Sequence, residues 1–279
     1  MKALRSIAFV VNDEKTGAPA LARELMGAAR AAGLRVRSTS RYPFPARFLK
    51  GVDACCVIGG DGTLLGAARD AALAGIPIIG VNRGSLGFLT TFSSDEARTH
   101  FGELLRGDFR LDRRAMLDCR TPGDGRGEGL ALNDVLIKAA ENSRLVRLEV
   151  RADGELVTEY LCDGLIFSTA TGSTAYNLSA GGPIIHPSAD VIAMTPICPH
   201  TLSNRAIIFR GDVRIEVRNR SPEAKLFVSW DGRRDAIIAS HAPVRIAMSR
   251  TKLSLAQGRG YRHFAVVRAK LKWTGGLTS

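Results

Sequence analysis

The sequence lacks any uninterrupted apolar run near the roughly 20 residues that a membrane-spanning helix needs. The stretch Ile7 to Val11 is too short for a secretory signal core, and no small-residue cleavage site follows it. Cysteine is sparse and odd in number, at five, and no Cys-x-x-Cys pair occurs. That argues against a disulfide framework and a structural zinc site. Cys55 and Cys56 lie inside the apolar run Ala54 to Ile58, where cysteine is most simply a small core residue. The five histidines are scattered, with no His-Glu-x-x-His spacing. Aromatics are 6% of the chain, few for a surface that stacks single-stranded bases. No helix-turn-helix, zinc-finger or RNP pattern stands out. No repeat, low-complexity tract or charge block is visible. These absences lead us to expect a reduced, soluble, cytoplasmic protein that binds neither nucleic acid nor membrane.

What is present is ordinary in bulk and unusual in charge. The 279 residues are 45% hydrophobic and 24% charged, a globular balance that excludes wholesale disorder. Lysine and arginine total 39 against 27 acids, a net charge of +12. An anionic partner is implied, and composition alone admits nucleic acid, a membrane surface or a phosphorylated small molecule.

Order along the chain divides it. Strand-like apolar runs at Ile7 to Val11, Leu34 to Ser38, Asp53 to Ile58 and Ile76 to Val81 alternate with helical stretches. These stretches are Ala18 to Ala32, Thr63 to Ala74 and Ser94 to Leu105. Such alternation predicts a parallel sheet with crossover helices. Near Asp112 the texture changes to short alternating segments, among them Leu145 to Arg151, Leu165 to Ser168, Val213 to Val217, Leu226 to Trp230 and Val244 to Ala247. Residues 261–273 regain a helical pattern, with Phe264, Val267 and Leu271 on one face. We therefore expect a Rossmann-like α/β domain over 1–112 with a returning tail, 259–279. A mainly β, sandwich-like domain is expected over 113–258.

Four segments carry chemistry. Gly59-Gly60-Asp61-Gly62-Thr63 sits between a buried strand and a helix. There, glycine amides and a helix N-terminus favour phosphate. Asp61 would repel phosphate unless it binds a cation or handles a proton; otherwise it is a turn residue capping the helix. Asn82-Arg83-Gly84-Ser85-Leu86-Gly87-Phe88-Leu89-Thr90 follows the next strand and could form the opposite wall of one cleft. Phe88 could face a base or a ribose there, whereas Leu86 and Leu89 are expected to plug the core. Asn133-Asp134 interrupts what would be one strand. Asn can read an adenine edge and Asp suits a ribose hydroxyl pair, although a simple bend remains open. Asp163 to Asn177, continuing to Pro183, ends a strand in a loop of Thr, Ser and Gly, a donor surface for hydroxyls and phosphates.

The first motif resembles the Gly-Gly-Asp-Gly-Thr signature shared by NAD kinases, diacylglycerol and sphingosine kinases and, more distantly, phosphofructokinases. The whole set resembles bacterial-type NAD kinase. It adds Thr195 to Leu202 and Val228-Ser229-Trp230-Asp231-Gly232, and it spans residues 59–232 in family order. Ala170 stands where that family usually has proline. The resemblance implies a fold of the NAD kinase/diacylglycerol kinase-like type. It also implies transfer of the γ-phosphoryl of ATP, or of polyphosphate, to the 2′-hydroxyl of NAD's adenosine ribose.

By that resemblance Asp61 is the catalytic carboxylate and could help hold magnesium or another divalent ion. Gly59, Gly60, Gly62 and Thr63 line the phosphates. NAD is bound by Gly62, Phe88, Asn133, Asp134, Asp163, Thr171, Thr174, Ala175, Tyr176 and Asp231. Asp231-Gly232 reads equally as a hairpin turn. The family forms homodimers or homotetramers. A lipid or sphingoid kinase and a non-enzymatic basic nucleotide-binding protein remain the alternatives.

Overall fold

The computed structural model describes residues 2–45, 47–84, 87–122, 128–141, 145–201, 203–221, 223–239, 242–258 and 260–273. Ser85, Leu86 and Leu202 of the motifs lie outside the described residues. The elements run β1 Ser6–Val11, α1 Ala18–Ala31, β2 Arg35–Thr39, β3 Ala54–Gly59, α2 Asp61–Ala74, β4 Ile78–Asn82, β5 Phe92–Ser93, α3 Ser94–Leu105 and β6 Arg110–Arg114. There follow β7 Leu117–Arg120, β8 Glu128–Ala131, β9 Asp134–Ala139, β10 Val146–Ala152, β11 Glu155–Cys162 and β12 Gly164–Thr169. A 3-10 turn, Gly172–Thr174, leads to α4 Tyr176–Ser179. The chain closes with β13 Val191–Ile197, β14 Ile207–Arg210, β15 Arg214–Asn219, β16 Leu226–Trp230, β17 Arg234–Ile238, β18 Val244–Met248, β19 Leu253–Gln257 and α5 His263–Leu271.

Two compact units result, Met1–Arg113 with Leu253–Ser279, and Arg114–Lys252. The first unit is built on a seven-stranded sheet in the order β2-β1-β3-β4-β19-β6, with β5 beside β4. Strands β1, β2, β3, β4, β5 and β19 pair in parallel. All six residues of β1 and all six of β3 are buried, as expected where both sheet faces are covered. Helix α1 buries Ala18, Leu21, Ala22, Leu25 and Ala29, one helical stripe. Each such leucine contributes roughly 1.5–3 kcal/mol of burial. Helix α3 opens on a capping box: Glu96 N–H donates to Ser93 Oγ at 3.2 Å, and Ser93 N–H donates to Glu96 Oε2 at 2.7 Å.

Three local expectations shift. Helix α2 starts at Asp61, two residues before Thr63, because extended Gly60 already serves as its N-cap. Strand β19 pairs with β4, so the return to the first unit begins at Leu253, ahead of residue 259. In α5 the buried residues are Val266 and Val267, and Phe264 is 63% exposed, so the Phe264–Val267–Leu271 stripe is not the packed face.

The second unit is an antiparallel sandwich. One sheet runs β11-β10-β15-β18-β7-β8 and the other β14-β13-β12-β9-β16-β17. Alternate residues of both sheets, including Leu148, Val217 and Ile246 from one and Ile137, Phe167 and Val228 from the other, form a single core. Among the described residues no helix is long and apolar enough to cross a membrane.

Candidate functional site

In the first unit the parallel strands aim their carboxyl ends at one edge, where ligands collect in open α/β sheets. β3 delivers Gly59-Gly60-Asp61 there and neighbouring β4 delivers Asn82. Asp61 does not cap its own helix. Its carboxylate turns instead to the second glycine-rich loop. Oδ2 accepts from Phe88 N–H at 2.8 Å; Oδ1 accepts from Leu89 N–H at 3.1 Å, Thr90 N–H at 2.9 Å and the Thr90 hydroxyl at 2.9 Å. Gly87 makes this approach possible, since a Cβ there would run into the Asp61 carboxylate. The two loops are thus the joined walls of one mouth. Asp61 is half-buried, and Oδ2 carries one of the four bonds against three on Oδ1.

A polar chain supports this carboxylate. Asn82, buried, donates from Nδ2 to Thr90 Oγ1 at 2.8 Å, and Thr90 donates on to Asp61. Asn12, just beyond β1, donates to Thr63 Oγ1 at 3.2 Å. Phe88 is half-buried, and Leu89 is buried, as expected for a core plug.

This donor set does not fit a resident metal ion. Oδ1 of Asp61 is filled by three donors. Among the described residues no group of three His, Cys, Asp or Glu side chains is arranged to hold one.

In the second unit Asn133-Asp134 marks the crossing of the chain from one sheet, at β8, to the other, at β9. The bend is held from two sides. Asp231 follows β16 and accepts from Leu132 N–H at 2.9 Å, Asn133 N–H at 2.7 Å and Asp134 N–H at 3.2 Å. The Asn133 carbonyl accepts from Thr169 N–H at 2.9 Å, and Thr169 Oγ1 donates to the Leu132 carbonyl at 2.6 Å. Asp231 and Gly232 both take positive φ, 55° and 62°, in the β16–β17 hairpin. Asp231 is therefore a turn residue whose carboxylate shapes the Asn133 loop.

Burial and the adjacent Asp231 charge push the Asp134 carboxyl up to about 7. Burial also raises Asp231, opposed by its three amide bonds. The amide donors to Asp231 favour its charged form.

Thr171, Thr174 and Ala175 lie at the same end of β12 as Asn133. Thr171 accepts from buried Arg114 at 3.4 Å, and Ala175 N–H donates to the Gly172 carbonyl at 2.8 Å. Tyr176 is 45% exposed. Buried Asn177 ties this loop down, donating to the Ser173 and Pro183 carbonyls and accepting from Thr195 at 2.7 Å. Asp163 is different. It precedes the first residue of β12, whereas Thr171 follows the last. The six-residue strand holds them at opposite ends, about 17 Å apart at 3.3 Å per residue. At its own end Asp163 raises the Cys198 thiol through a hydrogen bond.

Sequence reasoning missed Asn12, Lys15 and Arg114. The signal for the first two was position: both follow the carboxyl end of a parallel strand, as does Asp61.

A parallel-sheet unit bearing this glycine turn, together with an antiparallel sandwich, is the two-domain architecture of solved NAD(H) kinases. A yeast NADH kinase complexed with NADH superposes with a TM-score of 0.87 at 22% identity, covering 100% of this chain and 91% of that one. An NAD kinase from Archaeoglobus fulgidus in complex with ATP gives 0.77 at 22% identity, covering 98% and 99%. These likenesses establish the fold. Residues 35–109 match the ATP-NAD kinase N-terminal domain and residues 132–258 the ATP-NAD kinase C-terminal domain. NAD kinases of Geotalea daltonii and Geobacter sulfurreducens are 42% and 43% identical, each over 79% of this chain and 78% of their own length. The chain belongs to the ATP-NAD kinase family.

Proposed function

We infer that this protein is an NAD kinase, transferring the γ-phosphoryl of ATP to the 2′-hydroxyl of the adenosine ribose of NAD and releasing NADP and ADP. The observation that carries the reading is the Asp61 carboxylate, immobilised by four hydrogen bonds at a glycine-lined mouth in a chain of this family. Phosphoryl transfer asks a protein for positioning and charge stabilisation more than for covalent chemistry. In this reading Oδ2 of Asp61 accepts the proton of the attacking hydroxyl as the new O–P bond forms. The proton then passes to solvent. Gly59, Gly60, Gly62 and Thr63 line the donor phosphates, and magnesium enters on ATP.

Asn133 and Asp134 hold the adenosine half of NAD, with Phe88, Thr171, Thr174, Ala175 and Tyr176 as further contacts. Asp231 acts by shaping the Asn133 loop. We propose a cytoplasmic homotetramer or homodimer. Asp163, remote from Thr171 along β12, then serves the NAD bound by a neighbouring copy. The test is purified protein with magnesium, ATP and NAD, read by an NADP-specific dehydrogenase. NADP should accumulate with turnover. Phosphorylation of a diacylglycerol or sphingoid base without NADP would overturn the reading.

A further inference from the structure

The strongly basic composition raises the question of which cation meets the donor phosphates. Within the motifs the basic candidate is Arg83, and the structure turns it away. Its guanidinium donates to the Thr16 carbonyl through Nε and Nη2, each at 3.3 Å, and to Ser94 Oγ through Nη1 at 3.3 Å. It braces the loop behind the mouth.

Lys15 takes the place instead. It lies outside every motif, four residues beyond β1, on the same sheet edge. Its Nζ donates to the Gly59 carbonyl at 3.0 Å and to Asn82 Oδ1 at 3.4 Å. A Cβ placed on Gly60 would lie 3.2 Å from that nitrogen, and one on Gly84 3.8 Å from it. The ammonium thus occupies the space that glycines of both loops leave open. It is half-buried, its two acceptors are neutral, and among the described residues no carboxylate lies within 4.0 Å of it. A charge so placed has lost part of its hydration without gaining a counter-ion. An ammonium has three protons, and two are engaged. Through Asn82 and Thr90 it also joins, donor to acceptor, the chain ending on the Asp61 carboxylate.

We propose that Lys15 is the cation that binds the donor's terminal phosphates, its remaining proton and its charge directed at the polyphosphate of the nucleoside triphosphate. This rests on the NAD kinase reading for the identity of the reaction, and on geometry alone for the residue. The charge-assisted bond predicts a loss of donor affinity of at least about tenfold when the ammonium is removed.

The experiment compares wild type, Lys15→Met and Lys15→Gln. Each is assayed for the KM of ATP and of NAD, and for ADP binding by calorimetry. Glutamine keeps a donor for Gly59 and Asn82 while removing the charge. Both variants should raise the ATP KM and the ADP dissociation constant at least about tenfold, with the NAD KM within about twofold of wild type. Should Lys15→Met fail to fold, Lys15→Gln alone decides. Wild-type ADP affinity in Lys15→Gln, or a loss confined to thermal stability, would overturn the proposal. Absence of NADP formation by the wild type would instead overturn the NAD kinase reading, leaving the ADP measurement to judge Lys15 independently.

Discussion

Two carboxylates show how environment assigns different work to the same functional group. Asp61 has four donors on its oxygens. Asp134 is buried beside Asp231 and is pushed up to about 7. An acid whose folded pKa lies above its unfolded value binds more protons in the folded state. The stability contributed by Asp134 is then fullest below the unfolded value near 3.8 and declines as pH rises toward about 7. Accepting two ribose hydroxyls requires the ionised form, so NAD affinity should rise over the same window. Thermal melts and NAD titrations between about pH 5 and 8 should show these opposite trends. Asp134→Asn should flatten both and weaken NAD binding at high pH. A wild-type NAD affinity independent of pH would remove Asp134 from ribose recognition.

At the scale of elements, contacts between loops matter more than the elements themselves. Gly172 stands where a Cβ would run into the Asn133 carbonyl, so the loop after β12 and the β8–β9 crossing share one position. Gly172→Ala should cost about 1–3 kcal/mol and raise the NAD KM. Gly27, inside α1 with open space around its missing Cβ, is the control. Gly27→Ala should stabilise by about 0.5–1 kcal/mol and leave kinetics unchanged. Chemical denaturation of both variants checks the contrast; equal effects would refute it.

Elements of this kind were legible in the sequence where period and caps agreed. Ser94 to Leu105 was read to the residue, since Asp95 and Glu96 announce its first turn. Leu226 to Trp230 was equally plain. Asp61 was legible as chemistry, but its hold was not, because its partners lie 27 to 29 residues away on the neighbouring strand's loop. Lys15 was invisible for the same reason: only the order β1-β3-β4 brings it beside Gly59 and Asn82. Asp163 shows the converse relation between sequence and space. Its nearness to Thr171 in sequence became distance once the intervening residues extended as a strand.

For the whole molecule, the surplus of +12 acquires a narrower meaning. The motif residues are mostly Gly, Ser, Thr, Asn and Asp, so most of that charge lies outside the site. We propose that it acts at long range, on encounter with the polyphosphate of ATP and the pyrophosphate of NAD. The kcat/KM for ATP should therefore fall several-fold between about 0.05 and 0.3 M salt, where screening shortens to within about 10 Å. A flat salt dependence would confine the charge to roles other than steering.

The most direct test of the account is the turnover of Asp61→Asn measured beside its NAD affinity. The amide keeps size and an acceptor for the 88–90 amides but cannot take a proton. NAD binding within about twofold of wild type, with kcat lowered at least about a hundredfold, is the predicted result. Unchanged kcat would contradict it.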